Sequence, residues 1–255
     1  AIHKTRAQVS DLFHEHHKQY GKTERLEDPR ELLEEAREVL RPKYVTADVG
    51  ITGANFMIAE TGSTVIVTNE GNGDLTQTLA KMHIALATPE KIAPTLEDAS
   101  TMLRVLARSA TGQEYSVYTT FSTGPRRSED LDGPSSFHVI ILDNGRSEMV
   151  GGDFQEMLRC IKCGACLMHC PVWSTIGGHA YGWVYPGPMG SVLTPNIVGL
   201  EDSCHLPNAS TFCGRCQEVC PERIPLPRML RTHRENAYKA KLGAPKERVG
   251  INLWA

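Results

Sequence analysis

A closely spaced run of four cysteines constrains this chain more than any other feature. Residues 160–171 read CIKCGACLMHCP, so Cys160, Cys163, Cys166 and Cys170 follow the spacing C-x2-C-x2-C-x3-C-P. This spacing is typical of bacterial ferredoxins that bind a [4Fe-4S] cluster, and in two-cluster ferredoxins the fourth cysteine binds the other cluster. The run therefore predicts a second cysteine motif further along the chain.

The predicted second motif is present downstream. Cys213, Cys216 and Cys220 precede Pro221 with the spacing C-x2-C-x3-C-P. At the position where a regular motif would have its first cysteine, this chain has Ser210. The motif by itself therefore leaves one ligand of a second cluster to be identified.

The number of cysteines sets the expected number of clusters. The chain has eight cysteines, which is enough for two four-cysteine [4Fe-4S] clusters whose ligands cross between the motifs. We predict that the first cluster is bound by Cys160, Cys163, Cys166 and Cys220, and the second by Cys170, Cys213, Cys216 and Cys204. Because Cys204 lies outside both motifs, a [3Fe-4S] or incompletely ligated second cluster stays an open alternative.

Two other uses of cysteine fit the pattern less well. Zinc sites pair C-x2-C knuckles, whereas this chain has a triple run that ends in Cys-Pro. Disulfide frameworks are typical of small secreted chains, and this chain has 255 residues and no visible secretory pattern. Because thiolates that bind iron favour a reducing setting, we expect a cytoplasmic location.

The composition narrows the range of partners. The chain has 40% hydrophobic and 22% charged residues and a formal net charge of −3, as ordinary globular proteins have. It lacks the basic excess that is typical of nucleic-acid binding. No apolar run approaches the roughly 18 residues of a membrane-spanning helix. We therefore expect no nucleic-acid partner and no membrane-spanning segment.

Helices and strands alternate through the first part of the chain. The sequence patterns predict helices at about 2–19, 29–40 and 95–109, and strands at 56–60, 63–68, 81–87, 115–122 and 137–142. Pro42 is expected to end the second helix. This alternation predicts an α/β domain, which we place at 1–150.

Three residues of this part are candidate catalytic residues. Glu70 follows the strand 63–68 and begins a glycine-rich loop, which could approach a ligand or form a plain turn. Glu60 stands just before another tight turn that contains glycine, between the predicted strands 56–60 and 63–68. His83 lies on the strand 81–87, where a core position is the alternative to a site.

After residue 150 the predicted elements become helical. A short helix is predicted at 154–159, with Asp153 and Glu156 as its capping box. A last helix is predicted at 226–240. These flanking helices favour an α-helical ferredoxin-like domain at 151–242.

The interval between the two cysteine motifs is long and unusual. Residues 171–200 are rich in glycine, proline and aromatic residues, and we predict no regular element there. Such a segment could shield the clusters from water or form a docking surface for a redox partner. Residues 243–255 are assigned as a tail.

Five short blocks, together with the two cysteine motifs, resemble a known family. The blocks are ADVGITGAN at 47–55, IAETG at 58–62, TNEGN at 68–72, DNGR at 143–146 and GGHAYGW at 177–183. They are similar to those of the lactate-utilisation iron–sulfur protein family, the B subunit. The resemblance covers roughly residues 1–240.

The resemblance implies a fold and a function. The α/β part would be a lactate-utilisation domain, similar to the CoA-transferase and ribose-5-phosphate-isomerase fold. Because family members are longer, this domain would be incomplete at its N-terminus and the chain a fragment. The protein would be an iron–sulfur electron-transfer subunit of a bacterial cytoplasmic complex that oxidises L-lactate to pyruvate. Its partners would be a cysteine-rich subunit and a second lactate-utilisation-domain subunit.

Two other functions stay open on the sequence alone. In CoA-transferase-like folds a nucleophilic glutamate can precede glycine at a strand end, so Glu70 could serve a CoA- or acyl-transfer enzyme that has structural clusters. A redox-inert scaffold subunit is the third possibility. No G-x-G-x-x-G follows a predicted strand, so a dinucleotide cofactor is not expected.

Overall fold

The computed structural model describes residues 4–242. Residues 1–3, where the first predicted helix begins, and the predicted tail 243–255 lie outside the described residues. The chain divides into two compact units, Ala1–Leu142 and Asp143–Ala255. The division falls a few residues before the boundary at 150 that the sequence suggested.

Three of the α-helices described in the first unit, α1, α2 and α4, begin behind a capping side chain. The helices are α1 (Arg6–His16), α2 (Pro29–Thr46), α3 (Asn72–Leu79) and α4 (Leu96–Thr111). The side chains of Thr5, Asp28 and Thr95 accept hydrogen bonds from the first turns of α1, α2 and α4. A short 3-10 helix, His17–Tyr20, follows α1.

The prediction that Pro42 ends α2 is wrong, because α2 continues to Thr46. Pro42 is exposed, so water can replace the backbone hydrogen bond that proline removes. The hydroxyl of Thr46 also donates to the carbonyl of Pro42 at 2.8 Å. Solvent exposure therefore lets this helix tolerate an internal proline.

The strands of the first unit form two sheets. The strands are β1 (Val49–Gly53), β2 (Phe56–Ile58), β3 (Ser63–Val67), β4 (Met82–Ala87), β5 (Ile92–Ala93), β6 (Thr119–Ser122) and β7 (Ser136–Ile141). One sheet has the order β1-β4-β7 and is parallel throughout. The other has the order β5-β2-β3-β6 and mixes parallel and antiparallel pairs. The predicted α/β class of this part is confirmed at this level.

Several elements of the first unit were not predicted, among them β1, α3 and the two-residue strand β5. The turn-rich segment 47–55 contains β1, which pairs in parallel with β4, a partner distant in sequence. The glycine-rich loop after β3 leads directly into α3, whose N-cap is Gly71. A Cβ atom on Gly73 would lie 2.5 Å from Cγ2 of Thr68, so this glycine serves close packing. Long-range pairing and packing thus override the local turn signals.

A small core joins α4 to the four-stranded sheet. Its fully buried side chains are those of Ile58, Val65, Ala93, Ala99 and Leu103. The first three come from β2, β3 and β5, and the other two lie on the inner face of α4. This packing explains why the predicted amphipathic helix at 95–109 forms.

Within the described residues, the second unit contains helices and no strands. Its α-helices are α5 (Ala165–Met168), α6 (Pro171–Ile176), α7 (Gly187–Val198), α8 (Leu200–Ser203), α9 (Arg215–Glu218) and α10 (Leu226–Lys239). The predicted helical character of this part is confirmed. None of the helices in residues 4–242 is long and apolar enough to span a bilayer.

The element before the first cysteine differs from the prediction. Residues Gln155–Arg159 form a 3-10 helix, and its N-cap, Phe154, makes no side-chain capping hydrogen bond. The predicted capping box of Asp153 and Glu156 is therefore wrong. Glu156 instead pairs with Arg228 on α10. A long-range ion pair has replaced the local capping interaction.

The prediction that 171–200 lacks regular structure is also wrong, because α6 and α7 lie there. The consecutive residues of α7 from Gly187 to Pro195 are all buried. A helix that is buried all round has no polar face, so its sequence lacks the amphipathic period that predicts a helix. A Cβ atom on Gly190 would lie 1.6 Å from the carbonyl oxygen of Tyr185. Because residue 190 is glycine, the backbone of α7 can approach the backbone of Tyr185 closely at the centre of the second unit.

Candidate metal centres

The first cysteine motif surrounds a cavity together with one cysteine of the second. Cys160, Cys163 and Cys166 line this cavity, and Cys220 completes the set from the second motif. The remaining wall is largely apolar and includes Met157, Met189, Ile224 and Leu226. The cavity encloses about 370 Å³ of space, counting the part that is open to solvent. We call it the first cavity.

A second cavity is lined mainly by cysteines of the second motif, with one cysteine of the first. Cys213 and Cys216 of the second motif line it together with Cys170 of the first, and the cavity encloses about 290 Å³ on the same measure. Ser210 also lines this cavity. Cys204, which ends α8, is the one cysteine that lines neither cavity.

The two motifs have the same backbone conformation. In a regular motif, both Cys163 and Cys213 would be the second cysteine. The residues directly before them, Lys162 and Phe212, both have positive φ, 59° and 55°. Gly164 and Gly214, each one residue after that cysteine, have φ of 79° and 82°. Non-glycine residues rarely adopt positive φ. The shared strain therefore indicates that both motifs fold around the same kind of centre.

In each motif, a short helix follows the exposed cysteine and carries the next cysteine at the same helical position. Gly164 begins α5 and Gly214 begins α9, and Cys166 and Cys216 occupy the second position of these helices. Both cysteines are 9% exposed. The two motifs thus present matching thiols inwards from matching helical turns.

Burial opposes ionisation of these thiols. It raises the pKa of Cys166 to about 12 and that of Cys216 to about 11. Burial also raises the pKa of Cys160, although the backbone N–H of Lys162 donates to its thiol and partly offsets the rise. Buried thiolates need a compensating cation. Iron provides one, so the donors fit a thiolate-ligated cluster.

The arrangement of the thiols suits a cluster with several metal atoms. Among the described residues, no group of three or more His, Cys, Asp or Glu side chains is arranged to hold a single metal ion. Four cysteines can hold a [4Fe-4S] cluster without converging on one point, because each binds a different iron. The thiols lining the cavities fit this requirement.

The charges that act on a cysteine of one motif come in part from cysteines of the other motif. Cys220 is close enough to Cys160 for their negative charges to raise the pKa of Cys160. Cys170 acts on Cys216 in the same way. Cys216 in turn acts on Cys166, and the helices α5 and α9, which carry these two cysteines, contact each other.

Aromatic residues between the motifs lie beside the cavities. Tyr181 is buried, and this burial, followed by the charge of Cys170, raises its pKa to about 12. Its hydroxyl has no hydrogen-bond partner among the described residues. The ammonium of Lys162 lies 5.8 Å from the ring centroid of Tyr185. The burial of Tyr181 is consistent with the role in shielding the clusters that we predicted for 171–200. Trp183, in the same segment, is partly exposed.

The candidate catalytic residues of the first unit do not form a site together. His83 is buried on β4, and its Nε2 lies 2.7 Å from Oγ1 of Thr52 on the neighbouring strand. Glu60 accepts a hydrogen bond from the N–H of Leu96 at the start of α4. Glu70 is exposed between β3 and α3. Each of these environments is that of an ordinary structural or surface residue.

Comparison with known families accounts for both units. The model of the LUD domain matches residues 1–142, and that of a 4Fe-4S dicluster domain matches residues 156–224. The chain belongs to the LUD domain family. The resemblance to the lactate-utilisation iron–sulfur proteins is therefore confirmed at the level of the family.

Several curated relatives of this LUD-family chain share one printed name, "Lactate utilization protein B". The protein from Geobacillus thermodenitrificans is 48% identical over 96% of this chain and 51% of its own length. The protein from Bacillus subtilis is 46% identical over 96% of this chain and 50% of its own length. The LUD-family chain thus spans about half the length of the curated relatives it matches.

A solved structure is similar to part of the LUD-family chain. It is the crystal structure of a DUF162 family protein from Deinococcus radiodurans, with 21% identity and a TM-score of 0.31. The match covers 39% of this chain and 56% of that chain. A TM-score at this level supports no conclusion about the fold.

Sequence reasoning missed two contacts that support the centres. The backbone N–H of Met189, on α7, donates to the thiol of Cys166. Arg234, on α10, donates to the carbonyl of Ser210. Both contacts join residues that are far apart in sequence, so no local pattern could have indicated them.

Proposed function

We propose that this chain is part of an electron-transfer subunit that binds two [4Fe-4S] clusters and serves the oxidation of L-lactate to pyruvate. The observation that carries the proposal is the reciprocal lining of the two cavities by cysteines of both motifs. The printed names of the relatives support the lactate assignment. The same names support the assignment to a B subunit.

Each cavity would hold its cluster through the residues already described. Cys160, Cys163, Cys166 and Cys220 would bind the first cluster. Cys170, Cys213 and Cys216 would bind the second, and its fourth ligand is either Cys204 or a residue that the sequence did not suggest. Bound [4Fe-4S] clusters transfer single electrons.

The protein controls the surroundings of these ligands. The apolar wall of Met157, Met189 and Ile224 limits the access of water to the first cavity. Exposure to solvent and hydrogen bonds to sulfur are among the factors that set cluster potentials. The contact between α5, which carries Cys166, and α9, which carries Cys216, supports a short path between the two centres. Together these features favour a relay rather than two separate structural sites.

The wider assembly is part of the same proposal. The first unit would have a fold similar to CoA-transferases and ribose-5-phosphate isomerases, with a domain boundary between residues 142 and 151. The partners would be a cysteine-rich subunit and a second LUD-domain subunit, in the cytoplasm. The chemistry on lactate itself would take place on another part of that assembly or at an interface.

No observation favours the alternative of CoA or acyl transfer. A nucleophilic carboxylate needs neighbouring groups that orient it for attack. Glu70 is exposed, and Glu60 is engaged at the start of α4. The surroundings of these two carboxylates therefore give acyl transfer no support.

Metal and sulfide analysis under anaerobic conditions tests the number of clusters. We expect about eight irons and eight sulfides per chain, with a spin-coupled EPR signal after reduction by dithionite. About four irons would contradict the two-cluster proposal. Zinc without sulfide would contradict the electron-transfer function altogether.

Paired cysteine variants test the crossed ligand sets. If Cys160 and Cys220 bind the same cluster, the double variant Cys160→Ala/Cys220→Ala should retain about four irons, as each single variant does. The matched pair Cys213→Ala/Cys220→Ala, which comes from one motif, should lose both clusters. The reverse pattern would show that each motif binds its own cluster.

A further inference from the structure

Ser210 occupies the place in the second motif that Cys160 occupies in the first. Each stands three residues before an exposed cysteine, Cys163 or Cys213. The residue two positions after each has positive φ, and the following turns match. The correspondence is therefore one of backbone conformation as well as of spacing.

The local hydrogen bonds match as well. The backbone N–H of Lys162 donates to the thiol of Cys160. The backbone N–H of Phe212 donates to Oγ of Ser210 at 3.2 Å. A donor directed at the side-chain heteroatom stabilises its anionic, metal-binding form. The two side chains thus have the same backbone support.

The position of Ser210 is also fixed from outside the motif. The guanidinium of Arg234 donates to the carbonyl of Ser210 at 3.0 Å and to that of Pro207 at 2.9 Å. It also lies 4.1 Å from the ring centroid of Phe212. Because α10 holds this segment at three points, Ser210 is held at the wall of the second cavity.

Cys204 lacks these features. It ends α8, and the second cavity is lined by Ser210, Cys170, Cys213 and Cys216 without it. Cys204 therefore lies outside the set of residues that surround the second cavity.

We propose that Oγ of Ser210 is the fourth protein ligand of the second cluster, an inference that rests on the two-cluster function proposed above. On binding, the hydroxyl proton is released to solvent, an Fe–O bond forms and a water molecule leaves the iron. No electron is transferred in this step. The second cluster then has three thiolates and one alkoxide.

This ligand makes one iron different from the other three. An alkoxide is a harder ligand than a thiolate and suits iron in these clusters less well. The iron at Ser210 is therefore the one that the protein releases first. The second cluster should also have a lower midpoint potential than it would with four cysteines.

The test compares four variants of the anaerobically purified, cluster-loaded protein after mild oxidation. Ser210→Ala should retain about seven irons instead of eight and give the EPR signal of a [3Fe-4S] centre. Ser210→Cys should keep about eight irons and raise the midpoint potential of one cluster. Cys204→Ala and the cavity-wall control Thr211→Val should match the unsubstituted protein.

Three results would overturn the inference. If Cys204→Ala loses the iron and Ser210→Ala keeps it, then Cys204 is the ligand. If neither variant loses iron, a solvent-derived ligand completes the cluster. If Ser210→Ala does not accumulate, Mössbauer spectra of the unsubstituted protein decide, because an oxygen-ligated iron has a distinct isomer shift that Ser210→Cys should abolish. Its absence from those spectra would be the third contrary result.

A failure of the two-cluster proposal looks different. The unsubstituted protein would then contain about four irons before any substitution is made. The iron content of that protein therefore separates an incorrect ligand assignment from an incorrect function.

Discussion

The guanidinium of Arg234 lies over the ring of Phe212, 4.1 Å from its centroid, while it donates hydrogen bonds to two backbone carbonyls of the same segment. Phe212 has a φ of 55°, a conformation that is unfavourable for a residue with a side chain. The contact with α10 therefore supports a strained backbone at the edge of the second cavity.

Replacing Arg234 by lysine should weaken this support. Lysine keeps the charge but cannot form the planar fork or stack on the ring. We expect a loss of about 1.5–3 kcal/mol in unfolding free energy, because two hydrogen bonds from a charged group are disturbed. Iron loss to a chelator should accelerate at the second cluster. Arg231→Lys, at an exposed position of α10, is the matched control.

Gly190→Ala should destabilise the second unit severely. The new Cβ atom would lie 1.6 Å from the carbonyl oxygen of Tyr185, and both positions belong to backbone. We expect a loss of about 3 kcal/mol or more, at the upper end of overpacking effects. Thermal unfolding and the yield of folded protein measure it.

Gly71→Ala serves as the control for that substitution. Nothing lies within 4 Å of a Cβ atom at Gly71, and its φ of −70° suits alanine. We expect a change of less than about 1 kcal/mol. Equal losses in the two variants would contradict the close approach at Gly190.

His83 should make the stability depend on pH. Burial lowers the pKa of His83 below its usual value of about 6.5. As the pH falls through about 6.5, the unfolded chain takes up a proton that the folded protein does not, so the unfolding free energy decreases. The decrease is at most about 1.4 kcal/mol per pH unit.

His83→Gln removes this contribution, and urea unfolding between about pH 7.5 and 5.5 measures the change in slope. Burial also lowers the pKa of His233 in the second unit, so part of the slope should persist in the variant. An unchanged slope would mean that His83 is protonated alike in the folded and unfolded states.

Tyr181→Phe should shift the potential of the cluster at Cys170. The hydroxyl of Tyr181 stays protonated, because burial raises its pKa to about 12, and the charge of Cys170 acts on it. The hydroxyl makes no hydrogen bond to Cys170, so the expected shift comes from its dipole, which can turn towards the negative charge of the thiolate; removing this dipole lowers the midpoint potential. Redox titration followed by EPR measures the shift. Tyr185→Phe, near Lys162, should leave this cluster unchanged.

The sequence predicted which cysteines of the two motifs share a cavity better than it predicted the framework around them. The spacing of Cys160 to Cys170 reflects the geometry of the cluster itself, so it could be read without the fold. Arg234 could not be found in this way, because its partners at Ser210 and Pro207 are set by how α10 packs.

Among the helices and strands as well, those set by local interactions were predicted and those set by long-range packing were missed. Thr95 and its neighbours predicted α4, because capping and amphipathic packing are both local in sequence. The helix α7 was missed, since its glycines and prolines are tolerated only in its buried setting. The strand β1 was missed because its pairing partner β4 begins some thirty residues later, at Met82.

The crossing of the motifs also sets an order of events during synthesis. The wall of the first cavity includes Cys220, and that of the second includes Cys170 together with Cys213 and Cys216. The second cavity lacks at least one of its cysteines until Cys216 has been translated, and the first lacks its fourth until Cys220 has been translated. The nascent chain must therefore keep the thiols of its first motif free of disulfides and competing metals until the second motif emerges.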